Sequence, residues 1–105
     1  MSLSQFRTYQ LSKQFYAQVT GFRGPAHLKS QLLRAASSVA LNLAEGSGKD
    51  SSRDQGRFYR IALGSLRECQ AVFDLCASES SILVQQADQL GAHIWRLCQS
   101  CEKKK

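Results

Sequence analysis

Apolar residues recur at three- and four-residue steps in four separate segments of this chain, and this period constrains the fold more than any other feature. The last segment shows it most regularly, because its apolar positions advance by alternating steps of four and three residues: Leu83, Ala87, Leu90, Ile94, Leu97 and Cys101. Such heptad spacing is typical of helices whose side chains pack into the gaps of a neighbouring helix. The two-residue alternation of a half-buried strand is missing from every segment. We therefore expect an all-α protein.

Short breaks separate the four helices. Gly21, Gly24 and Pro25 divide the first two, since glycine suits the end of a helix and proline suits its start. Serine-rich breaks before the last two helices supply N-caps. The expected helices cover about 6–20, 26–46, 52–77 and 81–101, and a basic tail follows at 102–105. Helices of similar length with short connections predict an antiparallel up-down-up-down four-helix bundle, and 105 residues suit a single domain, 1–105.

The second and third helices differ in how their apolar residues are arranged. The third has one apolar arc, formed by Phe58, Ile61, Ala62, Ser65, Leu66, Cys69, Val72, Phe73 and Cys76. The second has a surplus, because Leu33, Ala40 and Ala44 flank its core face and Leu41 points nearly opposite Leu32. A helix that is apolar on nearly all sides is generally surrounded by protein, which predicts a homo-oligomer. The alternative is a single exposed leucine, which is common on monomers.

Positive charge is unevenly distributed along the chain. Basic residues outnumber acidic ones by 14 to 8, which gives a formal net charge of +6. The first 44 residues contain no Asp or Glu, and their basic residues are Arg7, Lys13, Arg23, Lys29 and Arg34. Such asymmetry favours a polyanionic partner such as nucleic acid. The alternative is a modest charge that merely keeps a small protein in solution.

Four arginines share one face of the third helix, and we call them the arginine row: Arg53, Arg57, Arg60 and Arg67. They occupy an arc of about 80° that extends about 21 Å along the axis. Within this arc Gly64 and Ala71 are small. Near the row only Asp54, three residues before Arg57, offers a local counter-charge, and Glu68 lies toward one side. Planar guanidinium groups suit phosphate, so the arginine row is the main candidate for nucleic-acid binding, with Arg34 as a further candidate.

Two other interpretations of the arginine row remain open. It is either a solvated helix face, or a set of arginines that pair with acids of a neighbouring subunit. If it does bind nucleic acid, we expect contact with the backbone and no base-specific readout, because the row itself carries no Asn, Gln or aromatic residue to read or stack bases.

Catalytic and metal sites are not evident in the sequence. It shows no Ser-His-acid set and no inward Glu-x-x-His pair, and Gly48-Lys49 lacks the rest of a phosphate-binding loop. Cys69 and Cys76 would be offset from Cys98 and Cys101 by roughly 13 Å along the helix axis, too far for one zinc site or for disulfides. We expect no enzyme, no metal and no cofactor. Without an apolar run of ~20 residues or a signal sequence, we expect no membrane partner and a cytoplasmic location.

Three motifs in the second and third helices resemble a known family. They are Arg34-Ala-x-Ser, Asn42-x-Ala-Glu45-Gly46 and Ala62-x-Gly64-Ser65-x-x-Glu68. They resemble those of a bacterial four-helix-bundle family whose genes were noted in intervening sequences of 23S ribosomal RNA. The resemblance is strong over residues 9 to 77, whereas the last helix matches in pattern only.

The resemblance implies a bundle that assembles into a ring, typically a homopentamer. Relatives of the family include the accessory variability determinant of diversity-generating retroelements, and the resemblance to it implies a basic ring that binds nucleic acid and a reverse transcriptase. For the matched residues it implies structural roles. Asn42 and Glu45 are expected to brace the end of the second helix, and Gly64 and Ser65 to permit close helix contact; Gly46 and Glu68 complete the motif. The two functions considered are therefore a nucleic-acid-binding accessory to a reverse transcriptase, and a structural or protein-docking oligomer without nucleic acid.

Overall fold

The computed structural model describes residues 2–76 and 81–104, and four α-helices account for most of these residues. A short 3-10 helix, Leu3–Gln5, precedes them. The helices are α1 (Arg7–Val19), α2 (Ala26–Ser47), α3 (Ser52–Cys76) and α4 (Ser81–Lys103). Because these described ranges contain no strand, the prediction of an all-α, four-helix protein is confirmed. None of the helices in the described ranges has the length and hydropathy needed to cross a bilayer.

The predicted helices begin at the observed residues 26, 52 and 81, and the other boundaries that the structure describes differ by one or two residues. The largest difference is at the end of α4, which continues through Glu102 and Lys103. The prediction that these two residues begin a tail was wrong, because a lysine in the last turn interacts favourably with the negative end of the helix dipole and supports further helix. The predicted end of the third helix, at residue 77, lies outside the described residues.

Side-chain and backbone caps fix where α2 and α3 begin. Ser51 caps α3, since its Oγ accepts a hydrogen bond from the Asp54 N–H at 3.1 Å and its carbonyl accepts one from Gln55 at 2.9 Å. Pro25 precedes α2, and its carbonyl accepts the N–H of Lys29 at 2.9 Å. The loop between α2 and α3 covers residues 48–51, and the Ser51 cap fixes where it passes into α3.

Contacts between neighbouring helices show their direction. Ser38 of α2 contacts Ser65 of α3, and Gly46 of α2 lies against Tyr59 of α3, so residue numbers rise in one helix as they fall in the other. The same holds for α3 and α4, where Gly56 lies beside Cys101 and Leu66 beside Gly91. Both helix pairs therefore run in opposite directions.

Aromatic side chains connect the first part of the chain to α3 in the core. The rings of Phe15 and Phe22 lie 6.3 and 6.0 Å from the ring of Phe73, and Phe6 lies 6.1 Å from Tyr59. These distances are typical of favourable aromatic pairs. The heptad residues of α4 complete the core, and they are buried except for the half-buried Leu97: Leu83, Ala87, Leu90, Ile94 and Cys101.

The core face of α3 is rotated relative to the predicted arc. Phe58 is only half-buried and Ile61 is 44% exposed, whereas Tyr59 and Gly56 are buried. The placement of Phe58 and Ile61 in the core was therefore wrong. The cause is the contact with α4. Gly56 has no side chain, so α4 can approach α3 closely on the flank that carries Gly56. The opposite flank of α3, which carries Phe58 and Ile61, is thereby turned toward solvent.

Candidate nucleic-acid interface

All members of the arginine row have exposed side chains on the outer face of α3. The structure brings Arg53, Arg57 and Arg60 together, since they line one shallow depression with Ser51 and Asp54. Arg67 lies two turns further along the helix and lines a separate groove with residues of α4. The row thus borders two basic depressions, one beside the start of α3 and one between α3 and α4.

Two members of the row are held by weak contacts that leave them accessible. The Arg57 guanidinium lies 4.4 Å from the centre of the Phe58 ring, a cation–π contact at the surface. Arg60 Nη1 lies 3.9 Å from Oε2 of Glu102, and both side chains are about half exposed. An exposed ion pair of this kind contributes about 0–1 kcal/mol, so it does not prevent Arg60 from binding another anion.

Arg67 is oriented by a chain of hydrogen bonds that reaches α4. Its Nη1 donates to Oε1 of Gln70 at 2.7 Å, and Nε2 of Gln70 donates to Oδ1 of Asp88 at 2.9 Å. A guanidinium has five N–H donors, so this bond leaves most of them for a ligand. The Arg67 head is therefore positioned at the edge of α4 and still able to bind an anion.

Acids near the row come from two helices. From local spacing, Asp54 was expected to be the one local counter-charge, and that expectation was wrong. Glu102 of α4 contacts Arg60, and Asp88 of α4 is connected to Arg67 through Gln70. Sequence spacing missed both because the register between α3 and α4 decides which residues of the two helices meet.

Arg34 lies apart from the arginine row. It is exposed on α2 and its side chain donates to Oε1 of Gln31, one turn earlier on the same helix. The next turn of α2 carries Ser38, which contacts Ser65 on the flank of α3 that faces α2. The row leans instead toward α4. The structure therefore does not bring Arg34 together with the row.

Asn42 of the second motif and Ser65 of the third form a polar cluster with Ser38 between α2 and α3. Nδ2 of Asn42 donates to the carbonyl of Ser38 at 2.9 Å and to its Oγ at 3.1 Å, and this Oγ lies 2.8 Å from Oγ of Ser65. Glu45 pairs with Lys49 one turn later, with Nζ and Oε2 3.1 Å apart. The serine contact links α2 to α3, and the ion pair links the last turns of α2 to Lys49 in the following loop.

Two motif glycines have opposite surroundings. A Cβ on Gly46 would lie 2.7 Å from Cε1 of Tyr59, so this glycine is required for the close approach of α2 and α3. A Cβ on Gly64 would have no neighbour within 4 Å. The expectation that Gly64 permits close helix contact is therefore wrong within this chain, because residue 64 points outward between Arg60 and Arg67.

Ser65 and Glu68 also belong to the third motif, and both lie on α3. Ser65 is half-buried and does join α3 to α2, as expected of a residue at a close helix contact. Glu68 is exposed on α3, beyond the polar cluster. Among the motif residues, Gly46 and Ser65 therefore contact the neighbouring helix, whereas Gly64 and Glu68 face solvent.

Sequence spacing also missed residues of α4 that border Arg67. The groove beside Arg67 is lined by Gly91, Trp95 and Arg96 of α4, and Trp95 is 52% exposed. The available signal was the position of Trp95 outside the heptad series, directly after the core residue Ile94. An exposed tryptophan is unusual for a side chain that otherwise favours burial.

The free cysteines are buried or half-buried. Burial raises the pKa of the Cys69 thiol to about 12, with a further contribution from Glu68, and burial also raises the pKa of Cys98. A thiol with a raised pKa stays protonated, which disfavours nucleophilic or metal chemistry. Among the described residues, no group of three or more His, Cys, Asp or Glu is placed to hold a metal ion. The structure thus gives these cysteines a packing environment.

Comparison with known proteins tests the resemblance carried by the motifs. The chain matches no curated protein. A family model described as 23S rRNA-intervening sequence protein matches residues 4–103, so the match extends through α4, where the sequence motifs alone showed only a pattern. The match covers nearly the whole chain. The chain therefore belongs to the family of 23S rRNA-intervening sequence proteins.

Proposed function

We propose that this chain is a non-enzymatic protein that binds the phosphate backbone of RNA or DNA through the arginine row. One observation carries the proposal: the row is exposed along one helix face, and its contacts with acids are few and weak. Forked guanidinium groups donate paired hydrogen bonds to phosphate oxygens, and each phosphate contact releases counterions. Gly64, which lies inside the row, leaves room for a backbone to approach the helix.

We further propose that the protein acts as a homo-oligomer. Leu41 of α2 is 67% exposed, and the flanking Leu33, Ala40 and Ala44 are half-buried. This apolar surface supports self-association, because burying it against another copy removes it from water. The family resemblance favours a ring, typically a homopentamer, and a role as an accessory to a reverse transcriptase.

The thiol state of the cysteines supports a proposal about the compartment in which the protein acts. Cys69, Cys76, Cys98 and Cys101 are free thiols. Free buried thiols are typical of reducing compartments. We therefore propose a cytoplasmic location.

The second candidate function is a structural or protein-docking oligomer without nucleic acid. Its support is that Arg60 contacts Glu102 and that Arg67 is connected to Asp88. In that case the arginines would stabilise the protein or its assembly. Their replacement would then lower stability or dissociate subunits, and nucleic acid would not compete.

The test is a salt titration of binding to generic single-stranded and duplex RNA, comparing the wild type with Arg57→Ala/Arg60→Ala. The matched control is Lys13→Ala/Arg23→Ala, which removes the same charge from exposed positions away from α3. We expect the row variant to bind all sequences more weakly and to reduce the slope of log K against log salt by about 1.4–1.8. Undetectable binding at ~50 mM salt, or equal losses in both double variants, would overturn the proposal.

A further inference from the structure

We infer that Trp95 and Arg67 form a binding site for one unpaired nucleotide, with the base stacked on the indole and its phosphate on the guanidinium. This inference rests on the proposed function, and it adds that single strands are the preferred ligand. The sequence of α3 alone argues against stacking, since the arginine row includes no aromatic residue. The structure changes this, because α4 places Trp95 in the groove that Arg67 lines.

The position of the Arg67 head relative to Trp95 follows from Gly91. A Cβ at residue 91 would lie 3.4 Å from Nη1 of Arg67, so the guanidinium lies directly over this glycine. Trp95 is one helical turn beyond Gly91, and residues so spaced lie about 5–6 Å apart on a helix surface. The cationic head and the Cβ of Trp95 are therefore about one helical turn apart along the surface of α4.

The groove has the size and openness that such a ligand needs. It has a volume of about 540 Å³, which is within the range of about 300–1,000 Å³ for small-ligand sites. Arg67 and Arg96 line it together with one acid, Asp88, which already accepts a hydrogen bond from Gln70. The arginines therefore leave a net positive charge around the exposed indole, which suits the phosphate of a nucleotide.

Trp95 also lies between two members of the arginine row. The contacts of Gly56 with Cys101 and of Leu66 with Gly91 place Trp95 level with Ala62, between Arg60 and Arg67. These arginines are about 10.5 Å apart along α3, which corresponds to roughly three nucleotides at about 3.4 Å each. A strand that follows the row on α3 therefore passes beside the indole of α4 at this level.

The aromatic site selects for unpaired bases for a physical reason. The faces of a base inside a duplex are covered by its neighbours, whereas a single strand can offer a face to an aromatic side chain. Stacking of this kind is tolerant of sequence, because every base has a π-face. The arginine row can bind both kinds of strand, but Trp95 adds affinity only for the unpaired one.

Fluorescence provides the first test, because Trp95 is the single tryptophan of the chain. The wild-type protein is titrated with unstructured 20-nucleotide RNA, with the same length of single-stranded DNA, and with a blunt RNA duplex. We expect both single strands to quench Trp95 emission at saturation and the duplex to leave it nearly unchanged. Bound single strands without quenching would overturn the inference. So would a free protein in which iodide cannot quench Trp95, since the indole would then be covered by another copy.

Substitution provides the second test. We expect Trp95→Ala to weaken single-strand binding by roughly 5- to 150-fold, with duplex binding changed less than about twofold, and Trp95→Phe to retain most of the affinity. The matched control is Tyr16→Ala, which removes an exposed aromatic side chain from α1. If Trp95→Ala and Tyr16→Ala bind single strands equally well while the row variant loses binding, this inference fails and the proposed function stands. If no nucleic acid binds at all, both fail.

Discussion

Arg60 Nη1 lies 3.9 Å from Oε2 of Glu102, so an acid of α4 reaches the arginine row of α3 from the side. The two side chains are 48% and 60% exposed, and the pair is longer than a direct hydrogen bond. Coulomb attraction at such a distance is weakened by water, and a phosphate can replace the carboxylate at little cost. Glu102 and a bound polyanion would therefore compete for the guanidinium of Arg60.

This competition predicts the effect of Glu102→Gln. We expect nucleic-acid affinity at low salt to rise by roughly two- to fivefold, while the free energy of unfolding changes by less than about 1 kcal/mol. The matched control is Glu45→Gln, which changes the net charge equally but lies on α2, paired with Lys49. Binding isotherms and urea denaturation measure the two quantities. Equal gains in both variants would indicate a general charge effect and contradict a specific competition at Arg60.

The chain shows clearly where sequence reasoning succeeds and where it stops. The heptad residues of α4 were predicted as core because a repeating apolar pattern is itself the signal of burial. The rotation of α3 was missed because Gly56 sets it, and a glycine gives no apolar signal. Trp95 and Glu102 were missed for a related reason: their relation to the arginine row depends on the register of α4 against α3, which pattern within one helix does not encode.

Replacement of glycine by alanine is expected to change the free energy of unfolding in opposite directions at Gly46 and Gly64. Alanine is favoured over glycine inside a helix by about 1 kcal/mol, so Gly64→Ala, which meets no neighbour, should stabilise the protein by up to that amount. A Cβ on Gly46 would lie 2.7 Å from the buried Tyr59 ring and 3.1 Å from Cβ of Phe58. Because these groups cannot move freely, we expect Gly46→Ala to cost about 1–2 kcal/mol net. Urea denaturation checks both, and a stabilised Gly46→Ala would contradict the packing of α2 on α3.

Two buried groups with raised pKa values, Tyr59 and Cys69, predict that the protein loses stability at high pH. Burial raises the pKa of Tyr59 from 10.0 to about 12, with smaller contributions from Cys101 and Cys98, and raises that of Cys69 from 9.0 to about 12. From about pH 9 for Cys69 and about pH 10 for Tyr59, the unfolded chain releases the proton while the folded chain retains it. The unfolded state then binds fewer protons, so stability falls as pH rises.

This stability is fully present below pH 9 and is lost between about pH 9 and 12. Each group lowers the free energy of unfolding by at most about 1.4 kcal/mol per pH unit. Urea denaturation under reducing conditions from pH 7.5 to 10.5 measures the decline. We expect Cys69→Ala to flatten it from pH 9 and Tyr59→Phe only from about pH 10. A decline unchanged in both variants would show that other groups cause it.

Self-association through α2 predicts that Leu41→Asp dissociates the oligomer. Leu41 is 67% exposed in the single chain, so the substitution should leave the fold intact, yet it would place a charge inside an apolar interface. We expect at least a tenfold weaker association, seen as a shift toward monomer in sedimentation velocity at about 10 µM. The matched control is Leu75→Asp, an equal change on α3 at a residue that is 70% exposed. An assembly that survives Leu41→Asp but dissociates with Leu75→Asp would move the interface from α2 to the end of α3.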